Sequence, residues 1–90
     1  MKKVIAEVMG PDPPCYRCTA VKENVEAVAP NLKAEGIEVE IKRLYIISKE
    51  VIGKYGLLVS PALAVNGVVK TMGRIPDKKE IETLLREAAK

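Results

Sequence analysis

Residues Pro11 to Ala29 read PDPPCYRCTAVKENVEAVA. Both cysteines of the chain, Cys15 and Cys18, fall inside this stretch, separated only by Tyr16 and Arg17. Prolines crowd the approach to the pair, and a helical pattern follows it. Val21, Val25, Val28 and Leu32 recur at i, i+4, i+7 and i+11, a single apolar stripe on a helix that starts at Cys15. Pro30 lies within that pattern. A proline removes one hydrogen bond of the helical ladder and crowds the preceding turn. A kink near Glu26–Ala29 is therefore expected, or a break after which Pro30 opens a second short helix. Gly36 is suited to terminate the segment.

The flanking segments alternate with this helix. Upstream, KKVIAEVM (Lys2–Met9) is short, rich in strand formers and stopped by Gly10-Pro11, which reads as a buried strand. Downstream, IEVEIKR (Ile37–Arg43) alternates strictly, with Ile37, Val39 and Ile41 on one face and Glu38, Glu40 and Lys42 on the other: a half-exposed strand. Ser48 can cap a short helix through Tyr55, with Val51, Ile52 and Tyr55 inward and Gly56 as its stop. Two apolar runs, Pro61–Val65 and Val68–Met72, flank Asn66-Gly67, the strongest short-range signal for a hairpin with a type I′ turn. Asp77 and Glu80 form a D-x-x-E start for a last helix with Ile81, Leu84, Leu85 and Ala88 inward. The order is βαβαββα. A strand–helix–strand unit makes a right-handed parallel crossover, and the terminal hairpin is antiparallel. A four-stranded mixed sheet flanked by helices, an α/β fold in one domain over residues 1–90, satisfies both.

Composition narrows the function classes. The 90 residues are 48% apolar, but aromatic side chains amount to three tyrosines, so the core must be aliphatic. The net charge of +3 comes from 15 basic and 12 acidic residues interleaved as in KENVE and DKKEIE. Nucleic-acid binding calls for clustered basic residues and stacking aromatics, and neither is evident. No apolar run approaches the roughly 20 residues that span a bilayer, and Glu7 interrupts the apolar N-terminus, so it reads as a strand, not a targeting signal. A cytoplasmic protein without membrane association is expected, and a monomer.

The cysteine spacing admits three chemistries. At the first turn of a helix, i and i+3 share a face at about 5–6 Å, within the Cα separation of about 4.4–6.8 Å that a disulfide needs. A static staple closing so small a loop constrains little, about 2 kcal/mol on the chain-entropy model, and a reducing compartment would open it. A metal site would have two thiolates where structural zinc takes four ligands. Reversible thiol–disulfide exchange needs only an activated thiolate and a neighbouring thiol. Unpaired N–H groups and the dipole at a helix start favour an anion at Cys15, and Arg17 adds positive charge. Histidine is absent from the chain, which excludes a Cys–His pair. A C-x-x-C beside a βαβ pattern is the recognised signature of this exchange chemistry.

Cys15-Tyr16-Arg17-Cys18 after the first strand, together with Ser60-Pro61 at the start of the hairpin, resembles the thioredoxin and glutaredoxin superfamily. The similarity is greatest to its short redox-active disulfide proteins, and it spans nearly the whole chain, including the stretch from Asn66 to Pro76. The resemblance implies a thioredoxin-like fold and a thiol–disulfide oxidoreductase. Cys15 would be the nucleophile and Cys18 the resolving thiol. Pro61, as a cis-proline, would lie against the disulfide. Ser60 would pair its backbone with an extended substrate. Tyr16, Arg17 and Gly73 complete the candidate substrate-binding residues, Arg17 as a contact for an acidic group and Gly73 as a point of close backbone approach. No cofactor or metal is implied. The partners would be a disulfide-bearing protein or low-molecular-weight disulfide, and a disulfide reductase or glutathione for recycling. A redox-sensing or soft-metal- or arsenite-binding module using the same dithiol is the alternative. The chain departs from thioredoxins in having Tyr-Arg where they have Gly-Pro and no tryptophan beside the site. Thioredoxins also bury a carboxylate in the first core strand as a proton acceptor. Here Val8 and Met9 end that strand, and Glu7 is the nearby carboxylate, with either face open to it.

Overall fold

The structure, a computed structural model, describes residues 2–11 and 16–90. The elements are β1 (Lys2–Gly10), α1 (Tyr16–Ala34), β2 (Ile37–Tyr45), α2 (Lys49–Tyr55), β3 (Ala62–Val65), β4 (Val68–Met72) and α3 (Lys78–Ala88). Their order is the expected βαβαββα. The strands form one mixed sheet in the order β2-β1-β3-β4. β1 and β2 run parallel from Lys2↔Ile37 to Gly10↔Tyr45, while β3 is antiparallel to both β1 and β4.

Alternation along β1 sends Val4, Ala6 and Val8 to one face. There they join Val21, Val25, Val28 and Leu32 of α1, Leu63 and Val65 of β3, and Ile81 and Leu85 of α3 in the larger core. Met9 points the other way, into a smaller core with Ile46, Val51, Ala62 and Ala64 beneath α2. Two helices thus cover one face and a seven-residue helix covers the other.

Local chemistry accounts for the boundaries. The α1 stripe is buried as its spacing predicts. Pro30 does not divide the segment: α1 continues as one helix to Ala34. The stripe packs on both sides of the proline, through Val28 and Leu32, and holds the helix across the missing hydrogen bond. Gly36 (φ +83°) ends it, its N–H donating to the Lys33 carbonyl at 3.0 Å. Ser48 Oγ accepts from Val51 N at 3.2 Å and caps α2. Ile52, expected inward, is 37% exposed, because on so short a helix only Val51 reaches the core fully. At the hairpin, Asn66 and Gly67 both have positive φ, +50° and +83°, as a type I′ turn requires. Asp77 Oδ1 accepts from Glu80 N at 2.8 Å and caps α3, while the Glu80 carboxylate turns to Arg74 instead of completing the box. Of the expected inner face of α3, Ile81 and Leu85 are buried, and Leu84 and Ala88 are half-buried. No helix among the described residues is long and apolar enough to cross a membrane.

Candidate active site

The site is assembled at the end of the sheet where β1 finishes and α1 begins. Cys15 lies outside the described residues. Cys18 sits in the first turn of α1 and is 2% exposed. Its face of the helix is the one that continues as Val21 and Val25, which is why the sulfur points inward. Tyr16, two positions earlier, is 83% exposed. Among the described residues the first turn carries no acidic side chain, which is the kind of group that would compete with another anion for the helix N–H groups.

Three other elements converge on this turn. Ser60, just before β3, brings its Oγ to 3.4 Å from Cys18 Sγ, and either atom can be the donor. The Ser60–Pro61 peptide is cis, and Pro61 is buried. The Pro61 carbonyl accepts from Gly73 N at 2.9 Å, which places the residue after β4 beside the one before β3. The Gly73 carbonyl in turn accepts from Arg17 Nη2 at 2.6 Å. Gly73 has φ +78°, and a Cβ there would come 3.2 Å from Val59 Cγ1, so both backbone and space favour glycine. Ser60, Pro61, Gly73, Arg17 and Cys18, scattered over the sequence, are therefore linked by contacts. In this structure the Arg17 guanidinium serves the protein's own backbone. Asn24 adds a further tie from α1, its Nδ2 donating to the Pro76 carbonyl at 3.0 Å.

Two contributors were not evident from the residues alone. Arg43, on β2, donates through Nη2 to the Pro11 carbonyl at 2.6 Å, so a second guanidinium stands at the start of the cysteine-bearing segment. Only the parallel register, which pairs Arg43 with Val8, brings it there. Gly10 reads locally as a strand stop, yet it is buried beside Cys18. A glycine closing a strand immediately before the cysteine-bearing segment is the sequence signal for such a close approach.

Glu7 is not directed toward Cys18. It lies on the α2 face of β1, 6% exposed, where Tyr55 donates its hydroxyl to Glu7 Oε1 and Lys54 Nζ stands 3.7 Å from the same oxygen. Burial and the hydrogen bond to Glu7 hold the Tyr55 phenol above its ordinary value. The Lys54 ammonium is also raised, by its interaction with Tyr55 and by the Glu7 charge. Among the described residues no three histidine, cysteine, aspartate or glutamate side chains gather in a way that could hold a metal ion.

The family model for a thioredoxin domain matches residues 4–86. A thioredoxin of Methanothermobacter thermautotrophicus is 34% identical over 71 residues, which cover 79% of this chain and 86% of that protein. The mixed sheet, the buried cysteine at the head of α1 and two matches over most of the length agree, and the chain belongs to the thioredoxin family.

Proposed function

We propose that the protein is a thiol–disulfide oxidoreductase in which Cys15 attacks a substrate disulfide and Cys18 resolves the mixed disulfide. The observation that carries this reading is the burial of Cys18 at the first turn of α1, against Ser60, where Arg17 is tied to Gly73 and Gly73 to Pro61. A resolving thiol must stay close to its partner and out of reach of competing disulfides, and a cysteine only 2% exposed meets the second need. In the first step the Cys15 thiolate takes one sulfur of the substrate disulfide and expels the other as a thiolate, which picks up a proton. In the second, Cys18 attacks Cys15, a Cys15–Cys18 disulfide forms, and the second substrate sulfur leaves as a thiol. The two electrons come from the dithiol, so no bound cofactor is required.

Exposed apolar side chains flank the linked residues in the chain: Tyr16, Val59 and Met72 are 83%, 60% and 50% exposed. They suit an extended polypeptide as substrate, paired with the Ser60 backbone. Recycling would fall to a disulfide reductase or glutathione, and a monomer in the reducing cytoplasm is the matching setting.

An equilibrium redox titration in dithiothreitol or glutathione buffers, scored by thiol alkylation and mass, tests the reading. A reversible two-electron couple between about −280 and −120 mV is expected. A pair that stays oxidised below about −300 mV, or that never closes, overturns it. Cys18→Ser should trap a mixed disulfide at Cys15. Trapping only in Cys15→Ser would reverse the two roles.

A further inference from the structure

Gly10 ends β1 in a buried position and in extended conformation. It is not among the glycines with positive φ, so its backbone imposes no need for glycine. Glycine is also a poor strand former. The reason for it lies in the space above its Cα. A Cβ built there would overlap Cys18 Sγ, and would lie 3.2 Å from Cys18 Cβ and 3.4 Å from Ser60 Oγ. The sulfur occupies the volume that the first side-chain carbon of any other residue would fill. The strand cannot retreat easily, because the Gly10 carbonyl accepts from Ile46 N at 2.8 Å and Gly10 pairs with Tyr45 in the parallel ladder.

We propose that Gly10 is a positioning residue for the resolving thiol: its bare Cα and the Ser60 hydroxyl form the seat of Cys18 Sγ, and the seat sets the rate at which the mixed disulfide is resolved. The inference rests on the function proposed above. The step it governs is Cys15–S–S–R plus Cys18–SH giving the Cys15–Cys18 disulfide plus R–SH. The S–S bond between Cys15 and the substrate sulfur breaks as the Cys15–Cys18 bond forms, and the thiol proton of Cys18 leaves with the released R–SH. A methyl at position 10 drives Sγ off this seat while leaving the attack by Cys15 to its own surroundings.

The aromatic disulfide 5,5′-dithiobis(2-nitrobenzoate) separates the two steps. Attack by Cys15 releases one coloured thiolate, and resolution by Cys18 releases the second. In Gly10→Ala the second phase should slow roughly 100-fold, the size of effect that a displacement near 1 Å has on a reacting pair. The first phase should stay within about two-fold, since Gly10 acts through Cys18. Equal slowing of both phases, or of neither, overturns the proposal. A melting-temperature cycle tests the seat without turnover. Gly10→Ala should lower the midpoint when Cys18 is present and much less in a Cys18→Ala background, where the sulfur is gone. The same loss in both backgrounds overturns the proposal. If Gly10→Ala does not fold, a folded Gly10→Ala/Cys18→Ala protein supports the seat and an unfolded one refutes it. A wild-type protein with no second phase and no reversible couple would instead sink the oxidoreductase reading, while the melting cycle would still report on the seat.

Discussion

Val4, Ala6 and Val8 leave β1 on one side and enter a core built wholly from aliphatic side chains of α1, α3 and two more strands. Glu7 and Met9, one residue out of phase, leave it on the other side. There a single short helix covers fewer apolar residues, and a buried carboxylate is held by Tyr55 and Lys54. The same strand therefore supports two environments. The larger core anchors the helix that carries Cys18. The smaller face absorbs the only glutamate that β1 offers, which leaves the site end without a carboxylate from this strand. Serine, glycine backbone and two guanidiniums stand there in its place. Strand parity thus decided the character of the site as much as residue type did.

Truncation of the cores should expose the asymmetry most strongly. Leu85→Ala, in the large core and fully buried, should cost about 2–5 kcal/mol. Val51→Ala, the deepest residue of α2, should cost about 2 kcal/mol, from roughly two methylene equivalents at about 0.8 kcal/mol each. Urea unfolding measures both, and equal losses would break the comparison. The polar cluster comes next. Tyr55→Phe removes a donor from the buried Glu7 carboxylate and should cost about 1–3 kcal/mol. Because folding raises the Tyr55 phenol, its contribution is complete below the ordinary tyrosine value of 10.0 and is lost as pH rises through the folded value. An alkaline unfolding limb that is unchanged in Tyr55→Phe would detach this cluster from stability.

Caps give a smaller and more even effect. Asp77→Ala on α3 and Ser48→Ala on α2 should each cost about 1 kcal/mol, since each removes one acceptor from a helix start. A much larger loss at Asp77 would mean that α3 formation limits the large core. The smallest effect is expected at acid pH. Hydrogen bonds from Arg86 hold Glu35 below the ordinary 4.5, and those from Arg74 do the same for Glu80. A lowered carboxyl stabilises the fold above its unfolded value, and that support is lost as pH falls through the folded value. Both pairs are solvent-facing, and ion pairs of this kind contribute little. Glu35→Gln should therefore flatten the melting-temperature decline below pH 4.5 only slightly, and a steep decline that disappears in this variant would show the tie to α3 to be a major one.

Much of the architecture was legible in the residues because it rests on local rules. The period of Val21, Val25, Val28 and Leu32, the alternation from Ile37, the Asn66-Gly67 turn and the caps at Ser48 and Asp77 all depend on neighbours within four positions. At Pro30 a local rule leaves two outcomes open, a kink or a break, and the break does not occur: the chain continues as one helix because packing on either side of the proline outweighs one absent hydrogen bond. The ends of β2 were equally out of local reach. Pairing with β1 carries that strand to Tyr45, beyond the last clearly alternating residue.

At the site the division is sharper. Composition and spacing alone put the two cysteines three positions apart, just ahead of a helical pattern, with no histidine to assist them. They also determined an aliphatic core and a mixed sheet, since parallel and antiparallel connections both follow from the order of elements. Tertiary structure decided the rest: that Glu7 faces α2, that Arg17 reaches the Gly73 carbonyl, that Arg43 stands at Pro11, and that Cys18 fits the space left open by Gly10. Each of these depends on which residues the sheet register and helix packing bring together across distances of 8 to 56 positions. A one-residue change of phase in β1 would exchange its faces, and nothing in the local pattern around Glu7 specifies that phase.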